Sequence, residues 1–143
     1  EEVLEKIREL SKSQKIIIGD PDRFDVMGAD KEKGAFLPRL YFITTSLLGN
    51  QDCHNIEAFG PVSTIMPYQD IEEAVALANL GKGSLVSSMV TYDDELARQY
   101  VLAAANMHGR ILILNRDCAK ESTGHGSPMP MLIHGGPGTC RRR

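Results

Sequence analysis

Residues 83–115, GSLVSSMVTYDDELARQYVLAAANMHGRILILN, decide the fold of this chain. The apolar and β-branched run from Leu85 to Thr91 predicts a strand. A helix is predicted to begin at Tyr92-Asp93-Asp94, where carboxylates can accept from first-turn amides, and to end near Met107. Ile111 to Leu114 is a continuous apolar run, which is typical of a strand covered on both faces. Strand, helix and strand in this order predict a parallel βαβ unit.

A second strand and helix precede this stretch. Val62 to Tyr68 predicts a strand, and Asp70 is predicted to cap a helix, with Glu73 three residues later completing a capping box. Strands and helices therefore alternate over residues 62–114. This alternation predicts an α/β fold with a mainly parallel sheet and flanking helices.

The N-terminal part predicts one helix and two further strands. Apolar residues at helical spacing predict an amphipathic helix with Val3, Leu4, Ile7 and Leu10 on its buried face. The short β-branched run from Lys15 to Ile18 predicts a buried strand. Phe36 to Thr45 predicts another strand, which we expect at the edge of a sheet because Pro38 lacks the N–H of a ladder donor.

Composition and charge exclude several classes of protein. The 143 residues are 42% hydrophobic and 24% charged, which predicts a soluble domain with one core. No apolar stretch approaches the roughly 18 residues of a membrane-spanning helix, and the acidic start lacks the features of a signal peptide. The net charge is −3 although Arg141-Arg142-Arg143 adds three basic residues. We therefore expect neither a membrane nor a nucleic-acid partner.

The cysteines are too few and too widely spaced for a disulfide framework or a zinc site. Cys53, Cys118 and Cys140 form no C-x-x-C pair. Reduced thiols in a cytoplasmic protein, with no metal site, are the simplest interpretation. Nothing in the sequence indicates a base that activates any of the three, so we expect none to be a reactive nucleophile.

One short segment combines groups that suit a nucleotide cofactor. Residues 56–62 are Ile-Glu-Ala-Phe-Gly-Pro-Val, and on an extended segment Glu57 and Phe59 point to the same side. A carboxylate can accept from a sugar diol, and a phenyl ring can pack against a ribose or a flat base. The alternative interpretation is a charged loop residue followed by a core Phe that enters a turn.

This segment resembles the E-x-F-G-P-V motif of the aldehyde dehydrogenase superfamily. Further stretches resemble the family in the same order, namely Tyr68 to Val75, Gly83 to Thr91, Gly109 to Asn115, and His134-Gly135-Gly136. The resemblance covers residues 1–138 and implies part of the aldehyde dehydrogenase catalytic domain. Residues 139–143 depart from the family pattern, and we expect them to be a non-native or frameshifted tail.

Within the superfamily, residues 123–130 and 132–138 resemble the branch that takes part in phenylacetate degradation. There the dehydrogenase half of a bifunctional protein oxidises a semialdehyde carried on a CoA thioester. The resemblance implies NAD or NADP as cofactor, an aldehyde and a CoA thioester as substrate chemistry, and a homo-oligomeric parent enzyme. Two alternatives stay open: a fragment of a CoA-acylating aldehyde dehydrogenase, or a non-catalytic α/β interaction or assembly module.

The resemblance also implies roles for individual residues. Glu57 would accept from the hydroxyls of the nicotinamide ribose, and Phe59 would pack near the ring. His134 lies where many relatives carry an aromatic residue of the substrate pocket, although a loop His that bonds only backbone is an equal alternative. Cys118 could touch the substrate funnel, with a plain packed thiol as the alternative.

The catalytic residues of the family lie outside the matched region. Its nucleophilic Cys and general-base Glu precede the stretch that this chain resembles, so we expect no catalytic residue here and no activity from the chain alone. Other polar residues are expected to be structural or exposed: Asn115 would bond loop backbone at a strand end, while His54 and His108 would lie at the surface, the latter at a helix end.

Overall fold

The computed structural model describes residues 1–44, 49, 51–118, 120 and 135–138. Its backbone packing divides the chain into two compact units, Glu1–Pro67 and Tyr68–Arg143, where the length of the chain predicted a single core. Each unit has its own sheet among the described residues.

The first unit contains a three-stranded sheet and a long N-terminal helix. Its elements are α1 (Glu2–Leu10), β1 (Lys15–Ile18), a 3-10 turn (Lys31–Lys33), β2 (Leu40–Ile43), the short α2 (Asp52–Asn55) and β3 (Val62–Ile65). The strand order is β1-β2-β3. Strand β1 runs antiparallel to β2, and β2 runs parallel to β3.

The core of the first unit forms where α1 covers the central strand. Ile7 and Leu10 of α1 pack with Leu40 and Phe42 of β2, and Phe42 is 0% exposed. Ile56, Ala58 and several partly buried side chains of α1, β1 and β3 pack against this cluster. The helix predicted from the spacing of Val3, Leu4, Ile7 and Leu10 is thereby confirmed.

Two predictions about this unit are wrong, one about the burial of β1 and one about the position of β2 in the sheet. Strand β1 is not buried, and Ile18 is 56% exposed, because β1 lies at the edge of the sheet with one neighbour. Strand β2 was expected at an edge, yet it is the central strand. Pro38 lies before β2 and not within it, so its missing N–H costs the sheet no hydrogen bond.

The second unit contains a parallel βαβ arrangement. Its elements are α3 (Ile71–Asn79), β4 (Ser84–Val90), α4 (Asp94–Ala104), a 3-10 turn (Ala105–Met107) and β5 (His108–Leu114). Strands β4 and β5 are parallel, in a register that runs from Ser84 opposite His108 to Val90 opposite Leu114. The predicted α/β fold is confirmed, although β3 and β4 belong to two different sheets in the described part of the chain.

Side chains predicted to cap the helices do so. Asp70 accepts from the Glu73 N–H at 2.8 Å, and Asp93 accepts from the Leu96 N–H at 3.0 Å. The Glu73 carboxylate accepts from the N–H of Gln69, one residue before the cap, at 2.7 Å. The Asp70 cap is therefore confirmed, whereas Glu73 accepts from the residue before the cap and not from the cap residue that a capping box requires.

His108 is not the surface residue that the sequence predicted. It begins β5 and is 7% exposed, with its ring beside that of Tyr100 of α4. Burial lowers the pKa of the imidazole, and neither ring nitrogen has a partner among the described residues. The helix ends earlier than its apolar pattern suggested, so His108 belongs to the strand. The run Ile111 to Leu114 is half-buried, not fully covered.

Residues 135–138 return to the amino ends of the parallel strands. The Gly135 carbonyl lies so close to Gly109, and the Pro137 carbonyl so close to Gly83, that neither glycine could carry a Cβ without a shift of backbone. Gly83 also has a φ of +121°, which L side chains rarely adopt. These two glycines therefore permit the close approach of the chain.

Candidate functional site

The segment that carries Glu57 and Phe59 alternates between the core and the solvent. It follows α2 in extended conformation, with φ −103° and ψ 107° at Ile56. Ile56 and Ala58 pack against the core cluster, whereas Glu57 is exposed and Phe59 is 85% exposed. The alternative interpretation of Phe59 as a core residue is therefore wrong.

Three hydrogen bonds and one close contact fix the backbone of this segment. The Gly60 N–H donates to the Ala58 carbonyl at 2.7 Å, the Val62 N–H donates to the Gly60 carbonyl at 2.8 Å, and the Leu40 N–H donates to the Pro61 carbonyl at 2.9 Å. A Cβ on Gly60 would lie 2.7 Å from a methyl carbon of Val3. Glu57 and Phe59 are thus presented from a firmly held backbone.

The two exposed side chains suit one kind of ligand. Alternation along an extended segment directs Glu57 and Phe59 to the same side. No hydrogen bond or ion pair joins the Glu57 carboxylate to another described residue. A free carboxylate and a free phenyl ring can together take a ligand that offers hydroxyl donors next to a flat or aliphatic surface, such as a ribose.

In the second unit, Asn115 closes a turn directly after β5. Its side-chain oxygen accepts from the N–H of Asp117 at 2.9 Å and from the N–H of Cys118 at 3.1 Å. The Cys118 sulfur lies 3.4 Å from the Asn115 nitrogen and 3.6 Å from its carbonyl oxygen. Asn115 is therefore the structural residue that the sequence predicted, and the Cys118 thiol is half-buried in the same turn.

The turn also brings together three residues that the sequence analysis missed. Arg116 lies over the ring of Tyr92, with 5.2 Å between the guanidinium carbon and the ring centroid. Partial desolvation and a hydrogen bond to Asp117 raise the pKa of the Tyr92 hydroxyl. Tyr92 follows β4 and the turn follows β5. A parallel pair brings such residues together at the carboxyl edge, and that signal could have identified them.

The remaining cysteine and histidine of the first unit show no sign of activation. Cys53 and His54 lie in the short helix α2, and both are half-buried. Burial raises the pKa of the Cys53 thiol and lowers the pKa of the His54 imidazole. A raised pKa keeps the thiol protonated, which agrees with the expectation that Cys53 is not a nucleophile. His54 is less exposed than predicted.

Other predicted residues lie outside the part of the chain that the structure describes. One is His134, which was assigned to the substrate pocket together with Cys118, and the other is Cys140. Within the described ranges, no group of three or more His, Cys, Asp or Glu side chains is arranged to hold a metal ion. No helix in those ranges has both the length and the apolar character needed to cross a membrane.

Comparison with known proteins identifies relatives of similar sequence. The chain is 52% identical over 105 residues to Protein MaoC of Klebsiella aerogenes, a match that covers 73% of this chain and 31% of that protein. It is 39% identical over 125 residues to the 3,4-dehydroadipyl-CoA semialdehyde dehydrogenase of Aromatoleum evansii, covering 87% of this chain and 24% of that protein. The chain thus spans less than a third of the length of these curated relatives.

Solved structures and a family model agree with these relatives. Aldehyde dehydrogenase C of Pseudomonas syringae, determined with NAD+ and octanal, matches 96% of this chain and 25% of its own, with a TM-score of 0.67 and 25% identity. The model of the aldehyde dehydrogenase family matches residues 1–124, which include the segment of Glu57 and Phe59 and both strands of the parallel pair. The chain therefore belongs to the aldehyde dehydrogenase family.

Proposed function

We propose that this chain forms part of the catalytic domain of an NAD(P)-dependent aldehyde dehydrogenase that oxidises a semialdehyde carried on a CoA thioester. Family membership over residues 1–124 supports the reaction class. The 39% identity to a dehydrogenase named for 3,4-dehydroadipyl-CoA semialdehyde supports the substrate class. The NAD+ bound to aldehyde dehydrogenase C of Pseudomonas syringae supports the cofactor class.

In this proposal, Glu57 and Phe59 contact the nicotinamide ribose of the cofactor. The observation that carries the assignment is the pair of exposed, unpartnered side chains on a backbone fixed by Gly60, Pro61 and the core. When bound, the cofactor accepts hydride from the substrate. Glu57 accepts hydrogen bonds from the ribose hydroxyls, and Phe59 covers the ribose and excludes water beside it.

The two residues contribute by different interactions of similar size. Burial of a phenylalanine side chain contributes about 1.5–3 kcal/mol. A hydrogen bond to a charged acceptor contributes about 1.5–3 kcal/mol in addition. Because the backbone of the segment is already fixed, little backbone entropy is lost when the cofactor binds, and the ordering of each side chain costs about 0.5–1.5 kcal/mol. The pair therefore positions the cofactor, while the family's nucleophile and general base would come from outside this chain.

A chimeric enzyme tests the proposed function. Residues 1–124 would replace the matching segment of the Aromatoleum evansii dehydrogenase, and NAD(P)+ reduction would be followed with a CoA-linked semialdehyde. We expect the chimera to turn over and the isolated chain to be inactive. Turnover by the isolated chain that Cys118→Ser abolishes would contradict the proposal, because it would make Cys118 the nucleophile.

A non-catalytic assembly module is the second candidate function. Exposed apolar side chains in both units favour it, with Ile18 at the edge of the first sheet and Leu102 on α4 as examples. Exposed apolar surface promotes association. Light scattering during size exclusion discriminates the two: association without any activity in the chimera would favour assembly, and an active chimera would favour the enzyme.

A further inference from the structure

A cleft in the first unit lies between α1 and the chain that leaves β1. It has a volume of about 330 Å³. Leu4 and Ile7 of α1 line it together with Ile16 of β1, and Pro21, which follows β1, adds a further apolar side chain. Ligand pockets in proteins have volumes of roughly 300–1,000 Å³ and mainly apolar walls. The cleft therefore has the size and the lining of a site for a small molecule.

Two charged side chains line the same cleft. Arg8 lies on α1, and Asp22 lies in the loop after β1. Both are exposed, and no hydrogen bond or ion pair joins either side chain to another residue in the part of the chain that the structure describes. The two are thus not paired with each other. The cleft therefore offers a guanidinium and a carboxylate that are both available to a ligand beside an apolar lining.

The loop side of the cleft has a fixed backbone. The Asp20 carboxylate accepts from the N–H of Asp22 at 2.9 Å and from the N–H of Arg23 at 3.2 Å. Gly19 has a φ of +87°, and a Cβ at this position would collide with the Arg39 carbonyl. Because β1 ends in this close contact with the chain before β2, the loop presents Asp22 from a defined base.

The helical side of the cleft is fixed by the core. Ile7 is 1% exposed and belongs to the buried cluster that α1 forms with β2. Arg8 follows it directly in the same helix, and the Ser11 hydroxyl, which also lines the cleft, donates to the Ile7 carbonyl at 2.8 Å. Both sides are therefore preformed, so the binding of a ligand orders little of the backbone.

We propose that this cleft binds a small apolar α-amino acid. The Arg8 guanidinium donates to the carboxylate of the ligand, because its fork matches two carboxylate oxygens. The ammonium of the ligand donates to the Asp22 carboxylate, and the apolar side chain packs against Ile7 and Ile16. Charge complementarity favours a zwitterion, because a ligand with a single charge would leave one of the two charged residues unpaired or repelled.

Binding of L-leucine to the 143-residue chain tests the inference. Nuclear magnetic resonance of the labelled methyl groups of Leu4, Ile7 and Ile16 would report binding in the cleft itself. A ligand of this size with two charge-assisted hydrogen bonds is expected to have a Kd of about 1 mM. Saturation of these signals by leucine would support the site, and no saturation at concentrations well above that Kd would overturn it.

Analogues of leucine test each group of the ligand separately. Isocaproate lacks the ammonium, leucinamide lacks the carboxylate, and glycine lacks the apolar side chain. Each should bind about tenfold more weakly than leucine, since each loses one charged hydrogen bond or the apolar contact. If isocaproate or leucinamide binds as tightly as leucine, the proposal is overturned, because the cleft then recognises no zwitterion.

Substitutions of the charged residues provide a second test. Arg8→Met and Asp22→Asn should each weaken the binding of leucine by about tenfold. Arg98→Met on α4 is the control for the first. Asp25→Asn, in the same loop as Asp22, is the control for the second. Both control residues are exposed and do not line the cleft, so losses in the controls equal to those in the cleft variants would overturn the proposal.

Combining variants with analogues assigns each charge to its partner. In Asp22→Asn the preference for leucine over isocaproate should shrink, because the ammonium has lost its acceptor. In Arg8→Met the preference for leucine over leucinamide should shrink for the corresponding reason. Unchanged preferences in both variants would contradict the assignment. The substituted side chains are exposed, and circular dichroism checks that each variant is folded.

The outcome is independent of the proposed dehydrogenase activity, and the inference goes beyond it. None of the residues that line the cleft lies in the segment of Glu57 and Phe59. An active chimera together with a chain that does not bind leucine would overturn the cleft site and leave the proposed function intact. Leucine binding that depends on Arg8 in a chain whose chimera is inactive would support the cleft site and count against the enzyme function.

Discussion

The segment of Glu57 and Phe59 and the turn at Asn115–Cys118 use their side chains in opposite ways. In the first, backbone and inward side chains are bound to the core, while the outward carboxylate and ring contact no described partner through a hydrogen bond or ion pair. In the second, side chains contact the backbone or one another, since Asn115 accepts from two backbone amides and the Arg116 guanidinium lies over the Tyr92 ring.

This difference shows two ways in which a protein presents side chains. In the segment of Glu57 and Phe59 the backbone is fixed in advance, and the exposed ring gains from burial when a ligand covers it. In the turn, the Asn115 side chain instead holds the backbone, and the Arg116 guanidinium already lies over the Tyr92 ring.

The largest expected effect separates two of the four phenylalanines of the first unit, Phe42 and Phe59. Phe42→Ala should lower the free energy of unfolding by about 3–5 kcal/mol, because it leaves a cavity beneath the segment of Glu57. Phe59→Ala is the matched control and should change it by less than about 0.5 kcal/mol, because the ring is exposed. Urea denaturation measures both, and a large loss for Phe59→Ala would show that the ring is buried after all.

A second variant tests whether the segment is held against α1. Gly60→Ala should cost about 1–3 kcal/mol, because its Cβ would collide with the Val3 side chain. Combining it with Val3→Ala should recover part of that loss, since the smaller side chain makes room. Strict additivity of the two changes would contradict the contact between Gly60 and Val3.

The turn of the second unit should respond more modestly. Asn115→Ala removes the acceptor of two backbone amides and should cost about 1 kcal/mol, whereas Asn115→Asp keeps an acceptor and should cost less. Hydrogen exchange at the Asp117 and Cys118 amides gives a local measurement. If exchange is equally slow in Asn115→Ala, the side chain does not hold the turn.

The smallest expected effect is the pH dependence of the free energy of unfolding, to which His54 in the first unit and His108 in the second contribute. Burial lowers the pKa of His54 and of His108 below 6.5, so the folded state favours the neutral ring. The unfolded chain therefore takes up protons first as the pH falls. The stability that the neutral rings contribute is complete above 6.5 and is lost as the pH falls through 6.5 towards the folded pKa.

Unfolding free energies at about pH 7.5 and about pH 5.5, on either side of the ordinary histidine pKa, measure this loss. His108→Gln and His54→Gln should each reduce the difference between the two pH values. His108→Gln should reduce it more if deeper burial decides the shift. An unchanged pH dependence in both variants would assign the loss to carboxylates instead.

Local signals in the sequence predicted much of the fold correctly. The caps at Asp70 and Asp93 depend on residues three apart, and the parallel βαβ unit follows from the order of its elements. The burial of each element and its position in a sheet were harder to predict, because they depend on which strands become neighbours. The Ile-rich β1 proved to be an edge strand, and His108 was assigned to a helix end since nothing local marks the start of β5.

The same limit applies to the candidate sites. Glu57 and Phe59 were identified from one continuous motif, and their exposure follows from simple alternation along an extended segment. Tyr92 and Arg116 are distant in sequence, and only the register of β4 with β5 brings the ends of the two strands together. The order of the elements predicts that both strand ends lie at the carboxyl edge, but it does not predict that Arg116 lies over the Tyr92 ring, which became apparent only in three dimensions.

The most direct test of the central claim is a comparison of Michaelis constants in the chimera. Glu57→Gln should raise the KM for NAD(P)+ by about tenfold, as expected for a lost charge-assisted hydrogen bond. Phe59→Leu should also raise it, and neither should change the KM for the aldehyde. Glu32→Gln and Tyr68→Leu, at an exposed acid and an exposed aromatic residue, are the controls. A KM for NAD(P)+ that stays at the control value in both variants would contradict the assignment of Glu57 and Phe59 to the cofactor.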